Sequence, residues 1–232
     1  MKVAIITGAF RGFGREIAKA LVNEGWTVVI DARDASALEA AATELRELAG
    51  SPERVRAIPG DVGDPEHRHR LAEAAAELGG LDLLVNNASV LGPSPQPTLA
   101  DYPLDVLADV YRVNTLAPVG LIQETLGALR SSSGVIVNVT SDAAIEGYEG
   151  WGGYGSSKAA LEQASNVLAA EEPELAVYWF DPGDMRTQMH QEAFPGEDIS
   201  DRPEPVTVVP SFLRLLERRP ASGRYRGSEV AP

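Results

Sequence analysis

The sequence predicts one α/β domain spanning residues 1–232, a doubly wound parallel sheet in three layers with helices on both faces. Three observations carry this expectation. Short β-branched apolar runs recur along the chain, stretches with helical spacing fall between them, and a glycine-rich turn joins the first run to the first helix. Strand and helix in alternation build right-handed crossovers, which leave neighbouring strands parallel.

Strands are expected at Val3–Ile6, Thr27–Ile30, Val55–Ile58, Leu81–Val85, Val135–Val139 and Ala176–Phe180. Helical spacing covers Arg15–Asn23, Ala35–Leu48, Glu66–Leu78, Val113–Leu129 and Tyr154–Ala170. The proline-rich stretch from Gly92 to Pro103 reads as a loop leading into a further helix at Leu104–Tyr111. Residues 188–205 hold three prolines, a glycine and five acidic residues, which makes them either a substrate lid or a loose surface excursion. Beyond them, Val206–Arg219 carries the apolar pairs Phe212-Leu213 and Leu215-Leu216, and Arg224–Arg226 reads as a short final strand.

Composition excludes several functions. With 34 acidic against 20 basic residues the chain repels a phosphate backbone, so nucleic acid is not an expected partner. No stretch approaches the roughly 18 apolar residues of a membrane span, and no membrane partner is expected. Cysteine is absent, which removes disulfides and thiolate chemistry and fits a reducing, cytoplasmic setting. His67 and His69 stand two apart on a helix and point different ways, so no metal site is expected.

The first strand runs directly into Thr7-Gly8-Ala9-Phe10-Arg11-Gly12-Phe13-Gly14. Glycines let a backbone turn sharply and approach a pyrophosphate, while the N–H groups of the following helix stabilise the negative charge. The spacing T-G-x-x-x-G-x-G resembles the cofactor turn of short-chain dehydrogenases/reductases, and that resemblance implies a Rossmann-like fold and a nicotinamide dinucleotide. It extends to Asp61-Val62, which in the family holds the adenine, and to Asn86-Asn87-Ala88 at the end of the fourth strand. Glycine usually follows N-N-A in the family; Ser89 stands here. Read without the family, Asn86 and Asn87 are equally a strand-end turn.

The identity of the cofactor turns on charge. Aligned on Gly14 and Gly25, the family's NAD-selecting carboxylate position falls on Ala32, with Arg33 next and Arg11 within the glycine turn. Two guanidinium groups can share one phosphate, which favours NADP(H). The less favoured alternative, NAD(H), leaves Asp31 on the ribose and Arg33 as a surface partner of Asp31 or Asp34.

Tyr154 and Lys158 are four residues apart in a helical stretch and so share a face. A nearby ammonium favours phenolate, and on this reasoning Lys158 brings Tyr154 toward neutrality. Ser141 precedes the tyrosine by thirteen residues, which is the family's catalytic spacing. Asn114 resembles the asparagine that completes the family's tetrad. Pro182, Gly183 and Thr187 match its P-G-x-x-x-T stretch at the nicotinamide. By resemblance, Ser141 hydrogen-bonds the oxygen of a small carbonyl or alcohol substrate and Tyr154 is acid or base. Lys158 holds the nicotinamide ribose and tunes Tyr154, and Asn114 positions a water. A homodimer or homotetramer is implied in the same way. The competing expectation is an NADP-binding sensor without turnover.

Overall fold

A computed structural model describes residues 2–230. Seven strands form one all-parallel sheet in the order β3-β2-β1-β4-β5-β6-β7: β1 Val3–Ile6, β2 Thr27–Ala32, β3 Val55–Pro59, β4 Leu83–Asn86, β5 Val135–Val139, β6 Ala176–Asp181 and β7 Gly223–Arg226. Side chains alternate across it. Ala4, Ile6, Val28, Ile30 and Val85 face one apolar layer, whereas Val3, Ile5, Val29 and Leu84 face the other. A sheet buried on both sides needs apolar residues at every position, which is why its strands read as continuous β-branched runs rather than alternating ones.

The first layer is packed by α1 Gly12–Asn23 and α2 Ala35–Ala49 through Ile17, Leu21, Leu38 and Leu45. The opposite layer is packed by α3 Pro65–Glu77 through Leu71. Asp34 starts α2 by accepting from the N–H groups of Ser36 and Ala37 at 2.9 and 3.0 Å, and Gly50 ends it at φ +64°. Asp64 caps α3 in the same way, with Pro65 at its first position.

Helix α4 Leu104–Tyr111 runs without a break through a π turn at Arg112–Leu116 into α5 Ala117–Ser132. The expected helix at Val113–Leu129 is therefore the continuation of its neighbour, and Asn114 lies inside the π turn. Helix α6 Gly152–Glu171 begins two residues before Tyr154, so that tyrosine sits in its first turn. The fourth strand begins at Leu83 rather than Leu81, because Asp82 turns its carboxylate onto the Val3 N–H at 2.8 Å and its backbone N–H onto the Val3 carbonyl. Within residues 188–205 the segment Gln188–Ala193 is helical, α7, with Thr187 as its cap. Helix α8 Val209–Arg218 adds Phe212 and Leu215 to the first layer.

Candidate active site

The carboxyl ends of β1, β4 and β5 open into a cleft of ≈ 930 Å3, beside the place where the strand order reverses between β1 and β4. A crevice forms there because the connections on either side depart toward opposite faces of the sheet.

The glycine turn makes one end of the cleft. Gly8 and Gly12 have φ of +66° and +57°, and a Cβ on Gly14 would stand 2.4 Å from Asn87 Nδ2. Asn87 is held there by donating to the Thr7 carbonyl at 2.8 Å, and the N–H groups of Asn87 and Ala88 both reach the Thr7 hydroxyl at 3.0 Å. Helix α1, unlike α2 and α3, has no capping side chain, and its first turn holds no acidic residue. Its first N–H groups are therefore donors for an anion, and this end of the cleft fits a dinucleotide pyrophosphate.

Asp31 lines this space from beneath, with its carboxylate already engaged inside the protein. It is 2% exposed; Oδ1 accepts from the Gly8 N–H at 2.6 Å and Oδ2 pairs with His67 Nε2 at 2.9 Å. Arg70 donates to His67 Nδ1 at 3.1 Å, which leaves Nε2 as the protonated nitrogen that donates to Asp31. Oδ1 thus braces the glycine turn and Oδ2 is held by His67 of α3, so both oxygens already have partners within the protein. Arg11 and Arg33 are exposed at the rim. Arg11 lies over the Phe10 ring at 4.9 Å and bonds Gln188 of α7. Asp61 accepts from the Gly63 N–H at 2.8 Å and from Arg112 at 3.2 Å. Burial would raise its pKa, but these donors outweigh that and hold it below the ordinary carboxylate range. Val62 lines the cleft beside it.

At the other end stand Ser141, Tyr154 and Lys158, with Pro182, Gly183 and Thr187 along the same wall. Lys158 is 2% exposed, donates to the Val139 carbonyl at 2.8 Å and lies 5.6 Å from the Tyr154 ring centre. Burial lowers its pKa to about 8, against the opposing pull of Glu162. Burial also raises the Tyr154 phenol, although the Ser89 and Ser141 hydroxyls oppose the shift. The expectation that Lys158 brings the phenol toward neutrality is thus not met by the protein's own groups: desolvation weakens the lysine's charge and penalises the phenolate together.

Asn114 is fully buried beneath the cleft. Its Oδ1 accepts from Val90 N–H at 2.8 Å and Ser89 Oγ at 3.1 Å, while Nδ2 donates to the Val90 carbonyl at 2.9 Å and to Ser157 Oγ at 3.0 Å. That uses the whole hydrogen-bonding capacity of the amide. With the side chain fully engaged, a water at Asn114 would be held by main-chain groups of the π turn, where the regular helical hydrogen bonding is interrupted.

Several residues that hold the site were not picked out as site residues from the sequence. Asp142 accepts from Ser141 Oγ at 2.9 Å and from the Tyr148 hydroxyl at 3.0 Å. Arg224, on β7, donates to the Ser141 carbonyl at 3.1 Å, to Asp181 at 2.9 Å and to Glu162 at 3.0 Å. It anchors Ser141 from behind the sheet's end. Trp151 also lines the cleft, lies edge-on to Tyr154 at 5.8 Å and packs on Phe194 at 5.9 Å. Met189 and Ala193 of α7 join Leu91, Ala143 and Tyr154 in one apolar cluster. The pattern gave no signal for Arg224 or His67, since their partners are distant in sequence.

A family model for short chain dehydrogenases matches residues 2–198. This chain belongs to the short-chain dehydrogenase family. It is 35% identical over 205 residues to the sepiapterin reductase of Mus musculus, covering 82% of this chain and 77% of that one. The oxidoreductase yciK from E. coli superposes with a TM-score of 0.90 at 30% identity, covering 97% of this chain and 94% of that one. A short chain dehydrogenase from Escherichia coli CFT073 complexed with NADPH does so with a TM-score of 0.90, 30% identity, and coverage of 97% and 96%. As a member of this family the chain is an oxidoreductase. Among its described residues no helix is long and apolar enough to cross a membrane.

Proposed function

We propose that this short-chain dehydrogenase is an NADP(H)-dependent carbonyl reductase or alcohol dehydrogenase acting on a small organic substrate. The observation that carries the reading is the convergence of Ser141, Tyr154 and Lys158 on the same cleft as the uncapped glycine turn. Three further features favour NADP(H) over NAD(H). Asp31 is buried, Ala32 takes the place of a ribose-binding carboxylate, and Arg11 and Arg33 flank the rim where a ribose phosphate would lie. The complexes of related proteins with NADP and NADPH point the same way.

In this reading Gly8, Arg11, Gly12, Phe13 and Gly14 bind the pyrophosphate side, Asp61 and Val62 the adenine, and Asn87, Ala88, Pro182, Gly183 and Thr187 the nicotinamide side. The bound dinucleotide supplies or takes up hydride. For reduction, Ser141 Oγ–H turns from Asp142 to the substrate oxygen, and Tyr154 passes its proton to that oxygen. Lys158 remains within reach of the phenolate and of a ribose hydroxyl, and Asn114 fixes the strand end and helix that frame the site. Trp151, Leu91, Met189 and Ala193 give the substrate an apolar wall, and residues 188–205 act as its lid. Exposed Leu104, Leu116 and Val167 on α4, the π turn and α6 support a homodimer or homotetramer, and the absence of cysteine supports a cytoplasmic location.

The test is NADPH consumption across a panel of ketones and aldehydes, with NADH in parallel. Tyr154→Phe should nearly abolish turnover and leave NADPH affinity intact. Full activity in that variant removes Tyr154 as the proton donor, and a clear preference for NADH removes the cofactor assignment.

A further inference from the structure

We propose that Asp31 and His67 are positioning residues for the dinucleotide: the chain Arg70–His67–Asp31 fixes the Thr7–Gly8 peptide, so that the glycine turn meets the pyrophosphate already in its binding shape. This rests on the reading of the glycine turn as the pyrophosphate site, and it adds the support that stands behind that turn.

The peptide unit between Thr7 and Gly8 is held at both ends. Its carbonyl accepts from Asn87 Nδ2 at 2.8 Å, and its N–H donates to Asp31 Oδ1 at 2.6 Å. The next N–H of the turn, that of Ala9, ends on the Asp31 main-chain carbonyl at 3.2 Å. One residue of β2 thus takes two successive donors of the turn, and those at the start of α1 are left for a ligand. A peptide clamped in this way cannot rotate without breaking a bond to a charged oxygen, so little ordering remains to be done when the anion arrives.

Asp31 in turn depends on His67. Both side chains are buried, and Oδ2 receives the Nε2 proton across 2.9 Å. Gly60 makes room for the ring: a Cβ there would stand 2.2 Å from His67 Nδ1. Arg70 reaches the same nitrogen from the surface at 3.1 Å, so a cation is joined through the ring to a carboxylate that lies beneath an anion site. Without His67 the Asp31 charge would be buried there with one oxygen unpaired, which works against both the turn and the ligand. The chain also ties the turn to α3, the helix that follows Asp61 and Val62. Its hydrogen bonds involve neither Ser141, Tyr154 nor Lys158.

The experiment measures NADPH binding by calorimetric titration, with steady-state KM and kcat beside it, in His67→Met, His67→Gln and Asp31→Asn. His67→Met removes the donor to Oδ2 and should raise Kd and KM for NADPH about tenfold with kcat nearly unchanged. Glutamine carries an N–H at about the reach of Nε2, and His67→Gln should restore both constants to within about twofold of wild type. Asp31→Asn leaves Gly8 a neutral acceptor in place of a charged one and should weaken NADPH about fivefold. Were Asp31 only a negative charge beneath the phosphates, its removal would tighten binding instead. An NADPH affinity that ignores His67→Met, or that rises in Asp31→Asn, overturns the proposal, as does a parallel fall of kcat and affinity. Asp31→Asn is nearly isosteric and decides the question if His67→Met does not fold. A wild type that binds NADPH, loses affinity in these variants and yet reduces no carbonyl removes the reductase reading and supports the clamp.

Discussion

Gly155 tests whether Ser141 and Tyr154 are held in register by one close backbone contact. A Cβ at this position would lie 2.5 Å from the carbonyl oxygen of Ala143. Ala143 belongs to the 3-10 turn Asp142–Ala144, which Ser141 caps by accepting the Ala143 N–H at 3.2 Å. The obstacle is backbone, so it cannot swing aside as a long side chain would. In Gly155→Ala, helix α6 and that turn must separate from 2.5 Å to the 3.4 Å of ordinary contact, an opening of about 0.9 Å. Overpacking of this kind costs about 1–3 kcal/mol, which for a chain of this size lowers Tm by roughly 2–10 °C. The functional cost should be larger, because Ser141 moves with the turn and Tyr154 with the helix. A displacement near 1 Å between groups that share one substrate oxygen lowers kcat on the order of 100-fold. Steady-state NADPH oxidation with the best ketone of the panel gives kcat; calorimetric titration gives NADPH affinity, which should stay within about twofold because the glycine turn is remote from the clash. Ser156→Ala, at the neighbouring half-buried position, is the control and should behave as wild type. A Gly155→Ala protein with unchanged kcat and Tm would refute the argument that this contact sets the geometry.

Three further outcomes are expected. Arg33→Ala should raise KM for NADPH roughly 10- to 100-fold, the worth of a guanidinium–phosphate bond, and leave that for NADH nearly unchanged; equal losses with both cofactors would count against Arg33 as the phosphate ligand. Lys158 has its folded pKa lowered to about 8 from 10.5 by burial, so the folded state disfavours its charged form. The resulting penalty is complete below pH 8 and disappears as pH rises through 10.5. Wild type should therefore gain stability relative to Lys158→Met between those limits, by up to about 3 kcal/mol, and parallel stability curves would contradict the shift. Arg224→Met removes the cation from Glu162 and Asp181 and a donor from the Ser141 carbonyl; it should cost about 3 kcal/mol in urea unfolding and lower kcat about tenfold, whereas an unaffected kcat would reduce Arg224 to a purely structural role.

What could be read from the chain directly was whatever depends on near neighbours. Strands β1 to β6 and the helices between them follow from hydrophobic runs and helical spacing, because a sheet covered on both faces demands apolar residues continuously and a surface helix demands them periodically. The glycine turn and the Tyr154–Lys158 spacing are local in the same sense, and the thirteen-residue interval to Ser141 reflects one strand end and one helix start. Residues separated by dozens of positions obey no such rule. Arg224 reaches Ser141 across 83 positions and Asp31 meets His67 across 36, and only the stacking order of the strands brings them together. Burial was equally a property of the folded chain. It tied the Asp31 carboxylate to Gly8 and His67, filled every hydrogen-bonding position of Asn114, and moved the titrations of Tyr154 and Lys158 away from where their spacing alone would put them. Dielectric surroundings are set by all the atoms that exclude water, and those arrive from every part of the sequence at once.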